Sequence, residues 1–368
     1  MFMSLTPRER ERVMIQKTVC SFRIRSSSAC FSSLLVFRRN SHSQTRGNGH
    51  QVVEKKQHEG LFLQKSKGQH LLTNTRILDA IVRSSHVRPT DTVLEIGPGT
   101  GNLTMKLLEA AHHVVAVELD KRMVEILHKR VCDHAFQHKL TIIQKDVLKT
   151  DFPEFDLVVA NIPYNISSPL VAKLVYGSNT FRTATLLLQK EFSRRLLANP
   201  GDSDFNRLAV NVKLLADVKL LMDVSKREFV PPPKVDSSVV IITPKEVKPD
   251  VDVREWLAFT RTCFGKKNKT LGSMFRQKKK VAELLSLSRV GIAANASDAV
   301  EEGEEQGLCL DADASVFKER VVGILRSNGF EDKRPSKLSH GELLRLLALF
   351  NQAGISFHSL PIMDLHDY

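Results

Sequence analysis

Cysteine is scarce and poorly placed for cross-linking. Cys20, Cys30, Cys132, Cys263 and Cys309 are scattered over 368 residues, odd in number and never spaced CxxC. That excludes a disulfide framework, argues against a structural zinc site and fits a reducing compartment. Long apolar runs are missing as well. None approaches the ~18 residues a membrane-spanning helix requires, so no membrane partner is expected. A third absence is local: between Arg12 and Val53 there is no Asp or Glu. The chain as a whole is globular in composition, with 42% hydrophobic and 26% charged residues, which excludes a wholly disordered chain.

The acid-free stretch accounts for much of the charge imbalance. The chain carries 54 Lys and Arg against 41 Asp and Glu, which invites a polyanionic partner. Residues 1–53 alone hold nine basic and two acidic residues. There Arg23, Arg25, Arg38, Arg39 and Arg46 alternate with serines such as Ser26, Ser27, Ser28, Ser32 and Ser33. An Arg-rich, Ser-rich, acid-poor start has the composition of an organelle transit peptide. Residues 1–59 are therefore expected to be an unfolded leader. The mitochondrion is the expected destination; plastid import shares the composition, and a nucleolar protein with a basic tail is a further alternative.

Past the leader, short apolar runs alternate with helical patterns. Residues 92–96 (TVLEI), 114–117 (VVAV), 140–143 (LTII), 157–160 (LVVA), 185–188 (TLLL) and 239–242 (VVII) read as buried strands. Leu103, Leu107, Leu108 and Ala111 share one helical face, and Met123, Ile126 and Leu127 another. Such alternation predicts an α/β fold, a mostly parallel sheet covered by helices on both sides, with its ligand at the carboxyl ends of the strands. This domain is expected over 60–246. Beyond a linker at 247–252, helical patterns at 256–263, 316–325 and 342–350 predict a smaller all-helical domain over 247–368. An Ala-, Gly- and acid-rich stretch near 291–313, including Glu301, Glu302, Glu304 and Glu305, is expected to be a mobile insertion.

Three features point to a nucleoside-containing cofactor. Residues 93–101 (VLEIGPGTG) run from a strand into a helix; their glycines permit a tight turn and a close backbone approach. Glu118 ends the next strand, where a carboxylate can accept from both ribose hydroxyls. Asp146 follows the third strand, where it can accept from an adenine amino group; a turn or cap role is its commoner use. These features serve NAD enzymes and methyltransferases alike.

Asn161-Ile162-Pro163-Tyr164 decides between them. A ring-conjugated amine is a poor nucleophile because its lone pair is delocalised. Two acceptors aimed at its hydrogens, the Asn161 side-chain oxygen and the Ile162 carbonyl, favour a pyramidal nitrogen and free that pair. Pro163 stiffens the turn, and Tyr164 offers a ring to a base. An NAD-dependent oxidoreductase leaves this tetrad unexplained. Immediately after it, Ser168-Pro169 reads as a helix N-cap and first turn.

The tetrad resembles the signature of methyltransferases that act on exocyclic amines. Residues 161–168 (NIPYNISS) are similar in particular to the small-subunit ribosomal RNA adenine N6-dimethyltransferase family. Residues 67–72 (KGQHLL), 94–101 (LEIGPGTG) and 229–237 (FVPPPKVDS) match three more of its motifs in order, with Leu71 where many relatives have Phe. The resemblance runs from about residue 60 to 244, and weakly through 264–274. It implies a Rossmann-like class I methyltransferase sheet and S-adenosyl-L-methionine as cofactor. It implies His70, Leu72, Gly97, Glu118, Asp146 and Asn161 around that cofactor, and Asn161 at the target amine. Tyr164 would stack on the target adenine, with Phe229 on the opposite face or nearby. No metal is implied. The implied reaction is dimethylation of two adjacent adenines near the 3′ end of small-subunit ribosomal RNA, on naked RNA or a pre-ribosomal subunit, by a monomer. A non-catalytic mitochondrial transcription or ribosome-assembly factor on the same fold is the alternative. Lys266, Lys267, Lys269, Arg276, Lys278, Lys279 and Lys280, with Arg194 and Arg195, are candidates for phosphate contact; a solvated basic helix face is the plainer reading.

Overall fold

The computed structural model describes residues 69–295 and 307–358, the side chains of 290–312 excepted. The leader, Lys67-Gly68 and the acidic cluster at Glu301, Glu302, Glu304 and Glu305 lie outside the described residues. The described residues belong to one compact unit, Phe62–Tyr368.

The strands are β1 (Leu71–Leu72), β2 (Thr92–Ile96), β3 (His113–Glu118), β4 (Leu140–Gln144), β5 (Leu157–Asn161), β6 (Thr183–Gln189), β7 (Ala216–Val224), β8 (Phe229–Val230) and β9 (Ser237–Pro244). Seven of them form a sheet in the order β4-β3-β2-β5-β6-β9-β7; β1 and β8 pair separately. Strands β2 to β6 are mutually parallel, and β9 and β7 add antiparallel to one side. This is the expected α/β class. All six strands expected from apolar runs are present; β7 was not anticipated. It is an edge strand whose Asp217, Lys219, Leu220 and Asp223 are not buried, so it lacks the continuous apolar run of a strand covered on both faces.

The helices around the sheet are α1 (Thr75–Ser84), α2 (Asn102–Ala110), α3 (Lys121–Asp133), α4 (Ser167–Tyr176), α5 (Lys190–Leu197) and α6 (Arg207–Leu215). On one face of the sheet Val93, Val114, Ala116 and Val159 pack against Leu78 and Ile81 of α1, Leu103 and Leu107 of α2 and Leu127 of α3. On the other, Leu94, Val115, Val158 and Leu186 meet Leu170 and Leu174 of α4 and Leu196 of α5. Burying each such side chain contributes roughly 1.5–3 kcal/mol. Helix α4 corrects one expectation. It begins at Ser167 after a single 3₁₀ turn, with Ile166 at the cap and no side-chain cap bond, so Ser168 and Pro169 lie inside its first turn.

The remaining helices are α7 (Val253–Cys263), α8 (Leu271–Phe275), α9 (Lys278–Asn295), α10 (Gly307–Ser327) and α11 (His340–Gln352). Their core holds Trp256, Phe259, Phe275, Val321, Leu346 and Phe350, and it extends back to Phe205, Val210 and Leu214 at and before α6. A buried Thr260–Asn211 hydrogen bond of 2.9 Å ties α7 to α6. Of the expected mobile insertion near 291–313, residues 291–295 belong to α9 and 307–313 to α10; the stretch between them lies outside the described residues.

Candidate functional site

Strands β2, β3, β4 and β5 end at the same edge, in parallel register. That edge opens into a cavity of about 580 Å³, within the range of roughly 300–1,000 Å³ typical of small-molecule sites. His70, Leu72, Gly97, Glu118, Asp146, Asn161 and Tyr164 all line it.

The glycine loop forms one wall. Gly97, Gly99 and Gly101 have φ of +68°, +57° and +88°, the left-handed region where a side chain is strained. A Cβ on Gly99 would meet Leu71 Cδ2 at 2.8 Å, and one on Gly97 would meet Pro163 Cδ at 3.3 Å. The loop is fixed from below: Arg130 donates to the Thr100 carbonyl at 3.1 Å and to Asn102 Oδ1 at 2.6 Å, and Asn102 donates to the Leu72 carbonyl at 2.8 Å.

Glu118 sits at the end of β3 and receives the backbone N–H of Gly99 at 3.2 Å and of Asp120 at 2.9 Å. Burial pushes its carboxyl above the usual range, and these N–H donors pull it back. Beneath the loop lies Glu95, which sequence reading passed over. It is fully buried, and its Oε2 has no hydrogen-bond partner among the described residues. Burial pushes its pKa up to about 8, with the Glu118 charge acting in the same direction. The Thr104 hydroxyl lies near enough to offset part of this without closing a hydrogen bond. Glu95 therefore stands mostly as a neutral acid at pH 7.

Asp146 lines the cavity and also caps a turn. One oxygen caps the following turn by accepting the Leu148 N–H at 3.0 Å. The turn is clamped by Lys173, whose ammonium donates to the carbonyls of Val147, Leu148 and Thr150 at 2.9, 3.0 and 2.7 Å. Such a turn holds the carboxylate at the cavity rim.

Asn161 is the last residue of β5. Its side-chain nitrogen donates to the His70 carbonyl at 3.1 Å, so Oδ1 is the atom left to accept. His70 is held in turn by its Nδ1 against the Pro231 carbonyl at 2.7 Å. The His70 and Tyr164 rings are stacked, with centroids 5.9 Å apart and planes 24° from parallel. That is direct aromatic pairing distance, so one face of Tyr164 is already covered. The Tyr164 hydroxyl is 2.7 Å from the Ser237 hydroxyl. Burial raises the Tyr164 pKa, so the phenol stays protonated.

Phe229 is the exception among the expected site residues. It is 2% exposed, pairs with Leu72 across β8 and β1, and belongs to the core rather than the cavity lining. A strand-paired Phe with apolar neighbours on its ring is more stable packed than presented to water, and no stacking face is offered by it here. The basic candidates also divide. Arg194 pairs with Asp204, Arg195 with Glu191, Arg276 with Glu331 and Lys280 with Glu283. Lys266, Lys267, Lys269, Lys278 and Lys279 are exposed and make no ion pair among the described residues. Gln69 was missed as an individual residue; it donates to Asp120 at 2.8 Å and anchors the start of the segment that crosses the cavity.

As a whole the site offers backbone N–H groups, carboxylates spaced along one sheet edge, an unpartnered buried acid and an amide oxygen beside an aromatic ring. That set suits an adenosine-bearing ligand with a charged tail, adjoining a second, planar group. Residues 61–305 match the family described as ribosomal RNA adenine dimethylase. The chain is 74% identical to an Arabidopsis thaliana protein named ribosomal RNA small subunit methyltransferase, mitochondrial, over 93% of this chain and 97% of that one. It is 42% identical to a Saccharomyces cerevisiae dimethyladenosine transferase, over 79% and 89% respectively. Among solved structures, a dimethyladenosine transferase from Plasmodium falciparum superposes with a TM-score of 0.69 at 38% identity, covering 78% of this chain and all of that one.

Proposed function

The chain belongs to the ribosomal RNA adenine dimethylase family, and from that premise we propose how its cavity performs the reaction. It is an S-adenosylmethionine-dependent enzyme that dimethylates adenine in small-subunit ribosomal RNA, on a Rossmann-like class I methyltransferase fold.

Bound S-adenosylmethionine supplies a methyl group activated by a sulfonium centre. Of the residues around it, the Gly97 backbone would line the cofactor, Glu118 would accept from its ribose hydroxyls and Asp146 from its adenine amine. His70 and Leu72 would border it from the crossing segment. At the far end of the cavity, Asn161 Oδ1 and the Ile162 carbonyl would accept the two hydrogens of the target N6 amine. Accepting both opposes delocalisation and directs the nitrogen lone pair toward the methyl. The target adenine would stack on the face of Tyr164 that His70 leaves open, after extrusion from its RNA helix. Tyr164 is not the base in this scheme, since its phenol is protonated and hydrogen-bonded. The amine proton departs to solvent after transfer, and the same contacts then serve the monomethylated nitrogen with one hydrogen fewer.

The observation that carries this reading is the Asn161–His70 hydrogen bond. It fixes the amide so that an acceptor, not a donor, remains at the end of β5. The intact set of Glu118, Asp146, Asn161 and Tyr164 favours catalysis over a purely structural role in ribosome assembly.

The finer assignments belong to the same proposal. Residues 1–59 are a mitochondrial leader, 60–246 the catalytic domain and 247–368 a helical domain that reads the RNA by shape. The enzyme works as a monomer, on two adjacent adenines near the 3′ end. Two things support the compartment: the leader's composition and the word mitochondrial in the name of the 74%-identical relative. Dimethyladenosine mapped in mitochondrial and cytosolic small-subunit RNA, with and without the protein, tests the target adenines and the compartment. Loss of the mark from the mitochondrial RNA alone is the expected result; an unchanged mark there would overturn the assignment.

A further inference from the structure

The tetrad's tyrosine has a hydroxyl that stacking alone does not require, because phenylalanine offers the same ring. In this structure the hydroxyl is engaged 2.7 Å from the Ser237 hydroxyl. Ser237 is wholly buried and starts β9, in register with Gln189 of β6 on one side and Val224 of β7 on the other. It is therefore a rigid point. Tyr164 is the reverse: it lies on the single 3₁₀ turn Tyr164–Ile166, which has no side-chain cap, and it is only half-buried. His70 borders the ring on one side, and the hydrogen bond at its far end selects one orientation among the staggered rotamers.

The same segment of chain holds the neighbouring ring. The Pro231 carbonyl, six residues before Ser237, accepts a hydrogen bond from His70 Nδ1 at 2.7 Å. The segment between is tied at two more points just past the ends of β6 and β7: Lys190 N–H donates to the Asp236 carbonyl at 3.0 Å, and Asp236 Oδ1 accepts the Lys226 N–H at 2.9 Å. One connection between β8 and β9 thus fixes both rings of the stacked pair.

We propose that Ser237 is a positioning residue for methyl transfer: its hydrogen bond to the Tyr164 hydroxyl sets the plane on which the target adenine stacks, and hence where the N6 amine stands relative to Asn161. The proposal rests on the reading of Tyr164 as the stacking platform. A ring free to rotate still binds a base, but it presents the amine in the reactive pose for a smaller fraction of the time, and small misplacements of that kind are costly in rate. The loss falls on the chemical step with adenine bound. Cofactor affinity, which is set at the other end of the cavity, stays as it was.

The test uses the full chain with S-adenosylmethionine and small-subunit RNA. Single-turnover methylation at saturating RNA and cofactor binding are measured for Ser237→Ala, Ser237→Thr, Tyr164→Phe, Tyr164→Ala and the Ser237→Ala/Tyr164→Phe double variant. Ser237→Ala and Tyr164→Phe are each expected to slow transfer about tenfold with cofactor affinity within twofold. The double variant is expected to be no slower than either single one, since one bond can be lost only once. Ser237→Thr keeps a hydroxyl and is expected to recover most of the rate, which separates positioning from a general packing defect. The chain has three tyrosines, so ring-labelled NMR gives an independent reading: the Tyr164 signal should move in Ser237→Ala while those of Tyr176 and Tyr368 do not. Wild-type transfer by Ser237→Ala, or multiplying losses in the double variant, would overturn the inference. Tyr164→Ala separates the two levels. If it transfers methyl normally, the stacking reading itself is wrong; if it is inactive while Ser237→Ala is normal, only the role of Ser237 falls.

Discussion

The sheet edge and the helical region use polar side chains in opposite ways. At the edge, several groups are held by residues distant in sequence: Asn161 by the His70 carbonyl, Tyr164 by Ser237, the turn after Asp146 by Lys173. In the helical region most surface charges pair locally or face water, as Lys280 does with Glu283 and Arg326 with Glu331, and the energy sits in aromatic packing around Phe259 and Phe350. The difference teaches that long-range hydrogen bonds fix side-chain position at the sheet edge, while aromatic packing carries stability in the helical region.

Removing packing from the helical region gives the largest expected effect on stability. Phe259 is fully buried among Trp256, Phe350 and Phe357, so Phe259→Ala should lower unfolding free energy by about 3–5 kcal/mol. Denaturant unfolding measures that loss, and cofactor affinity of the folded fraction should stay unchanged. A fall in affinity matching the fall in stability would erase the contrast between the regions.

The sheet region should show the converse, a stability cost carried for the site. Glu95 has its pKa raised from 4.5 to about 8 in the folded state. Between those values the folded chain binds more protons than the unfolded chain, so this group makes stability fall as pH rises. The slope approaches 1.36 kcal/mol per pH unit, or up to about 3 kcal/mol between pH 5.5 and 8. Glu95→Gln cannot titrate, and its unfolding free energy should decline less over that window than that of the wild type. Identical slopes would mean that Glu95 is ionised in the fold.

Much of this contrast was legible in the sequence, and the parts that were not have physical reasons. The strands at 92–96 and 157–160 are covered on both faces, so their apolar runs announced them. Strand β7 is an edge with charges along it and gave no such signal. Glu118, Asp146 and Asn161 stand where strands end, and strand ends can be read from periodicity. Glu95 lies within a strand, fourth of five residues otherwise read as an apolar run, and is buried there. Phe229 shows the limit of a motif: the residue type fits stacking, but pairing with Leu72 turns it into the core. Lys173 gives no sequence signal, and Ser237 stands in a recognised motif without showing its partner, because those partners lie 23 and 73 residues away.

The smallest effect belongs to the unpaired lysines. Changing Lys266, Lys267 and Lys269 to alanine should weaken RNA binding by about tenfold at moderate salt. It should reduce the slope of log affinity against log salt by roughly one to three, as expected for lost phosphate contacts. The same substitutions at Arg194 and Arg195, which are already ion-paired, should matter less. Equal effects in the two sets would show that local pairing does not decide which cations meet the RNA.

The most direct test of the central claim is methyl transfer by Asn161→Ala, followed as dimethyladenosine formed in small-subunit RNA by the purified chain with S-adenosylmethionine. A loss of about a hundred- to a thousandfold in transfer is expected, as when a transition-state hydrogen-bond partner is removed, with cofactor binding only modestly weakened. Dimethyladenosine formed at the wild-type rate by Asn161→Ala would contradict it.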